Sequence, residues 1–429
     1  MNRPRRRALR PAVATVAGVT AISVLAACSG AQGTELRSDA EHEALAVDDA
    51  GAVPDAVAAT TELGAGLLAA GKPGENQVIS PASITIALAM LAEGARGEAA
   101  EALDEVLGGA GQDRTDAYNA LQAAVLEHDG DPAVAGEDEL PERPLAHLAN
   151  GIVIHQGFPV EPDYLDAIAR GFDAGARVAE LSDASGKEVL DTWVKEHTGG
   201  LIESSAIEPS PDLVLVLQNA VLLAARWASP FAEGATSDAP FTTATGERVE
   251  VETMSQTLEA AYGEVGGTQA GEMTAVRLPY TEAFAMDVVL PAEGTDPATV
   301  AAEDWAAVDE VLAGPATTQV RLRLPTLDLK TEAELREPLS ELGLGPVFRP
   351  GADLSGIAPG VAVSGVAHQA TVSVDEAGTV AAAVTEIPMV ISAPLVEAEM
   401  SVDRPFALRI VHVETGLPLF LGAINDPRG

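Results

Sequence analysis

Histidine, cysteine, serine and carboxylate side chains carry most protein chemistry, and here they are scattered or alone. The seven histidines make no H-E-x-x-H zinc pattern, and "EHEAL" around His42 supplies only one. No G-x-S-x-G elbow presents a serine, and no G-x-x-x-x-G-K-[ST] loop cradles phosphate. Cys28 is the single cysteine, so disulfides, cysteine-ligated zinc and cysteine catalysis are excluded for the rest of the chain. With 65 Asp and Glu residues, carboxylate pairs are too common for any one to mark acid–base work. His368 sits in a strand-like run beside Val366 and Ala367 and reads as a core histidine satisfied by hydrogen bonds. The stretch that stands out carries no reactive group: "VDEAGTVAAAVTEIP", Val374 to Pro388. Ala381, Ala382 and Ala383 favour helix. Gly378 and Pro388 break helices. Thr379, Val380, Val384 and Thr385 lean towards strand. The stretch is either a plain surface loop or a segment built to adopt two structures.

The surrounding pattern shows what must position it. "VPDAVAATTELGAGLLAAG" has helical spacing and a C-cap candidate in Gly71. In "SPASITIALAMLAEGARG" Ser80 can cap and Pro81 suits the first turn. "EAAEALDEVLG", "EPDYLDAIARGF", "GKEVLDTWVKEHTGG" and "EAELREPLSELGL" also read as helices. Residues 127–144 read as an exposed acidic loop. "GIVIHQGFPV" reads as a strand, and "DLVLVLQNAVLLAARW" as one buried on both faces. "VRLPYTEAFAMDVVLPAEG" reads as a hairpin, and "TQVRLRLPTLDLK" alternates with period two. "VAVSGVAHQATVSVDEAG" and "PFALRIVHVETGLPLFLGAI" read as strand pairs. Helices come first and strands dominate later, which predicts an α+β fold.

The chain has 429 residues, is 47% hydrophobic and 3% aromatic, and carries a formal net charge of −40. The apolar fraction suffices for a substantial core. The acidity excludes nucleic-acid binding and electrostatic docking on anionic lipid. Arg3, Arg5, Arg6, Arg7 and Arg10 precede an apolar run at 11–24 that is short for a membrane span. "LAAC", ending at Cys28, resembles the lipobox of bacterial lipoproteins. That resemblance implies a signal peptide over 1–27, acylation of Cys28, and an extracytoplasmic protein held at the membrane by its lipid. An ordinary signal peptide with an incidental cysteine is the alternative. Residues 28–53 read as a flexible acidic tether, followed by one domain over 54–427.

Four segments together resemble the serpin family. They are "NQVISPASITIALAMLAEGARG" (76–97), "LQNAVLLAARWASPF" (217–231), the run from "GADLSGI" through "VSGVAHQATVSVDEAGT", and "RPFALRIVHVETGLPLFLGAINDP" (404–427). Weaker matches are "LANGIVI", "TWVKEHTGGLI" and "VRLPY". The resemblance implies a serpin fold of about nine helices and three β-sheets with an exposed reactive loop. It implies a suicide substrate rather than an enzyme, with no cofactor. A serine protease cleaves the loop, remains covalently attached, and is dragged as the loop enters the central sheet.

On that resemblance Glu376, Ala377, Gly378, Thr379, Ala381, Ala382 and Ala383 form the hinge. Gly378 is expected to supply backbone freedom. Ser80, Ser83, Asn219 and His368 match the buried polar "shutter" beneath the opening point. Counting about 14 residues from Gly378 puts the reactive bond at Ser392–Ala393, with Ile391–Ser392 and Met389–Val390 as fallbacks. These residues suit an elastase-like or subtilisin-like target, because 380–399 contain no Lys or Arg. The chain departs from the family pattern at Val380, often Glu, at Gln369, often Lys, and at Asp191, often Asn. It also departs at Thr326, often a Lys that pairs with the hinge glutamate. A non-inhibitory serpin acting as a binding or chaperone-like module is the alternative, and a solute-binding lipoprotein of another fold a more distant one.

Overall fold

In Leu215–Arg226 every residue but the last is buried, so this strand needs cover on both faces. The computed structural model, which describes residues 22–24, 33–136, 140–268, 270–316, 318–379 and 395–429, supplies it. On one face lies the helix Pro81–Gly94, buried nearly all round and capped by Ser80, whose Oγ accepts from Ser83 N. On the other lies the helix Ala184–His197, whose cap is Asp183 rather than a residue of the expected segment. The strand is central to an eight-stranded sheet in the order Ile22–Val24, Thr34–Ser38, Ala176–Ala179, Leu145–His155, Leu215–Arg226, Gly378–Thr379, Val363–Val374, Leu327–Glu334.

The remaining strands form a nine-stranded network. Its long member, Arg248–Thr268, pairs through its first part with Ser237–Thr242 and Thr318–Pro325, and through its last part with Gly271–Pro279. Ala398–Ser401 lies outside Thr318–Pro325. On the other side follow Phe284–Pro291, Phe406–His412, Leu417–Ile424 and Gln77–Ile79. The three sheets expected are therefore two hydrogen-bonded networks among the described residues, because one 21-residue strand serves two sheets.

The α+β class stands, with local corrections. The period-two run at 318–330 is two strands in different sheets, pivoting at Thr326, whose N–H donates to Glu252 O (3.0 Å). Glu332–Glu334, read as helix, extends the second of these strands, and helix begins only at Arg336. The run over 361–378 is one long strand and a short return, not a full pair. Two helices went unread, Gly111–Leu126 and Ala302–Leu312. The first buries Arg114, Thr115, Asn119 and Gln122 among Ala117, Tyr118, Ala120, Leu121 and Val125, so polar residues break up its apolar stripe. The tether reading is corrected for residues 33–53. Thr34–Ser38 adds a strand to Ala176–Ala179, and Leu45 N donates to Asn119 Oδ1 (2.8 Å). The outermost strand, Ile22–Val24, falls within the segment read as a leader. No helix among the described residues is long and apolar enough to cross a membrane.

Candidate functional site

The two strands flanking Gly378–Thr379 run parallel to each other. They pair directly only over Leu215–Val221 and Val363–Ala370. Above that level Gly378 and Thr379 lie between them, antiparallel to both: Thr379 faces Ala225 on one side and Val374 on the other. The hinge has thus taken the first rung of a strand position. In this state Gly378 is needed for space. Its φ is outside the left-handed region, but a Cβ would stand 2.0 Å from Ala225 O.

The turn before it is tightly specified. Asp375 Oδ1 accepts from Ala377 N (2.8 Å) and Gly378 N (3.1 Å). Trp227 N donates to Ala377 O (2.9 Å), and its indole Nε1 donates to Asp375 O (2.9 Å). Trp227 stacks on Tyr280 at 4.4 Å between ring centroids. The Tyr280 hydroxyl bonds to Thr379 Oγ1, and burial raises its pKa. Glu376, expected to lack a lysine partner, accepts from the Thr236 hydroxyl instead. Ala381, Ala382, Ala383, Ser392, Ala393 and Cys28 lie outside the described residues.

Further down the same two strands sits the polar cluster, and the structure brings its four expected members together. Asn150, Asn219 and His368 are directly opposite one another across three strands. Ser80 N donates to His368 Nε2 (3.1 Å), and His368 Nδ1 meets Asn219 Oδ1 (2.5 Å). A backbone N–H can only donate, so Nε2 is the acceptor and Nδ1 carries the proton. His368 is fully buried, and desolvation pushes its pKa down to about 3. Ser83 Oγ donates to Asn150 Oδ1 (3.4 Å). Asn150, Tyr280, Thr236 and Asp375 were not singled out from sequence, although "LANGIVI" and "VRLPY" contain two of them; Trp227 is a residue of the second matched segment.

The opposite face of this seam is poorly matched. Gln218 Oε1, both amide atoms of Gln369 and Thr371 Oγ1 are buried there without a hydrogen-bond partner among the described residues, and on the His368 face so is Asn219 Nδ2. A buried polar group left this way costs about 1–3 kcal/mol. The closed sheet therefore carries strain where its two middle strands meet. The site has no nucleophile paired with a base. Its parts form a joint, with a started strand above and a polar lock below.

Two outcomes follow. His368 binds a proton more weakly folded than unfolded, so its contribution is complete above about pH 6.5 and is lost as pH falls from there towards about 3. Between pH 7 and 5 the loss is about 2 kcal/mol; urea titrations at both values should show it, and His368→Gln, which cannot titrate, should show a correspondingly smaller change. Gln369→Leu should raise stability by about 1–3 kcal/mol, read as a higher urea midpoint; an unchanged or lower midpoint contradicts strain at the seam.

The comparisons with known proteins agree with this geometry. Residues 61–427 match the family described as Serpin (serine protease inhibitor). An uncharacterised serpin-like protein of Thermococcus kodakarensis is 30% identical over 82% of this chain and 81% of its own length. The leukocyte elastase inhibitor of Bos taurus is 29% identical over 83% of this chain and 94% of its own. The native-state crystal structure of the thermophilic serpin tengpin superposes with a TM-score of 0.74 at 25% identity, covering 90% of this chain and 96% of that one. The chain belongs to the serpin family, whose members are mostly protease inhibitors.

Proposed function

We propose that the protein inhibits a serine protease as a suicide substrate, by cleavage of residues 380–394 and entry of that segment between Leu215–Arg226 and Val363–Val374. The observation that carries this reading is the position of Gly378 and Thr379, paired antiparallel to both strands. Their register dictates the continuation. Thr379 opposes Ala225 and Val374, so each further pair of residues descends one step on both sides. Ala381 then meets Leu223 and Val372, and Ala383 meets Val221 and Ala370. Thr385 arrives opposite Asn219 and His368, which already oppose one another. The same face that buries Thr379 receives Ala381, Ala383 and Thr385, all small. Thr385 brings a hydroxyl to the level where the Asn219–His368 bond must part. On the other face Val384 comes to Ala220 and Gln369. About 15 residues at about 3.3 Å each make a strand near 50 Å long, which sets the scale of the protease's displacement.

The bond cut is Ser392–Ala393, with Ile391–Ser392 and Met389–Val390 as neighbouring choices. The absence of Lys and Arg from 380–399 favours an elastase-like or subtilisin-like enzyme over a trypsin-like one. The protein acts without catalysis of its own and without a cofactor. Its location outside the cytoplasmic membrane, tethered by acylated Cys28, is part of the same proposal and is supported by the leader sequence alone.

Soluble protein starting at Ser29 should form a denaturant-resistant adduct with an elastase-like or subtilisin-like protease and release a peptide beginning at Ala393. Thr385→Arg would bury an unpaired charge on insertion, so cleavage should persist while adduct falls about tenfold or more. Cleavage of the unmodified protein without adduct favours the non-inhibitory alternative. Full adduct with Thr385→Arg contradicts the register.

A further inference from the structure

The helix Ala184–His197 lies across both strands that would part. Gln218 Nε2 donates to Leu190 O (3.2 Å), and Val189 and Leu190 share an apolar cluster with Val216 and Ala367. Near its C-terminal end Trp193 sits on Gly151, where a Cβ would stand 3.0 Å from the indole. The last residue, His197, stacks on His147 of the strand Leu145–His155, with rings 5.4 Å apart and 9° from parallel. His147 Nε2 lies 3.1 Å from His197 Nδ1, and His147 Nδ1 lies 2.7 Å from Asp129 Oδ1. The Trp193 ring is 4.6 Å from the His197 ring.

This chain of three groups has one proton per link. Asp129 accepts from His147 Nδ1–H, which leaves Nε2 free to accept from His197 Nδ1–H. One added proton fits, since a doubly protonated His147 still donates in both directions. A second proton does not fit, because it sets N–H against N–H at 3.1 Å with like charges on stacked rings. The charged groups around the pair are Asp129 after the helix Gly111–Leu126, Arg177 on Ala176–Ala179, Glu35 and Arg37 on Thr34–Ser38, and Asp173, which pairs with Arg37. Lys195 and Glu196 on the helix itself are exposed. Burial, His147 and Arg177 hold the His197 imidazole down at about 4, against the pull of Asp129.

We propose that Asp129, His147 and His197 form a clasp that pins the C-terminal end of this helix to the sheet and opens when a second proton enters the histidine pair. If the loop enters the sheet as proposed above, opening the clasp removes a barrier to that entry; the clasp itself is independent of that reading. Its test is local. Hydrogen exchange of the protein from Ser29, corrected for intrinsic rates, should show residues 184–197 losing protection about tenfold or more on going from pH 7 to near pH 4, relative to the helix Pro81–Gly94. His197→Gln still donates to His147 but cannot titrate, and should keep its protection. His147→Gln serves equally if the first variant folds poorly. Equal protection of the helix at both pH values, or the same loss in either variant, overturns the proposal.

Discussion

The structure turns on two parallel strands that are joined below and separated above. Parallel neighbours leave room for a third strand antiparallel to both, and Gly378 and Thr379 already occupy its first position. Because the hinge is in register with both sides at once, it sets the register that the proposed insertion would follow. The position of Gly378 against Ala225 O, the Trp227–Tyr280 stack and the Asp375 turn all maintain that first rung. Beneath it, direct pairing of the two strands and the Asn219–His368 bond hold the rest shut.

The energetics fit a closed state that is held rather than relaxed. One face of the seam is satisfied through a neutral His368 whose tautomer is set by Ser80 N. The other face buries Gln369 without a partner among the described residues. Unmatched polar groups weigh against the closed sheet, while the hydrogen bonds around His368 weigh for it. A strand arriving between them would exchange one set for the other and add a full ladder of backbone bonds on both sides.

Much of this was legible in sequence, and the gaps have causes. Leu215–Arg226 announced itself through a long apolar run interrupted only by Gln218 and Asn219 before Arg226, and the hinge through its conflict of propensities. Ser80, Ser83, Asn219 and His368 were found through resemblance, since no spacing rule joins residues up to 288 positions apart. Asn150 and Tyr280 act through cross-strand neighbours that only the sheet order reveals. Gly111–Leu126 hid because Arg114, Thr115, Asn119 and Gln122 interrupt its buried face. Thr34–Ser38 hid because a short strand with no buried residue is held by backbone bonds rather than by an apolar pattern. The need for space at Gly378 was not legible because close approach to a carbonyl leaves no trace in the dihedral preferences of a single residue.

In the proposed reading, the lack of Lys and Arg over residues 380–399 favours a partner chosen by small or apolar contacts at the cut. In the proposed mechanism the protease only starts the motion and the sheet completes it. The most direct measurement is therefore the thermal midpoint before and after a single cut within residues 389–394, made by any protease and confirmed by mass. A sheet that admits the loop predicts a large rise in the midpoint, since the cut releases the strand to pair along its length. An unchanged or lower midpoint would contradict insertion.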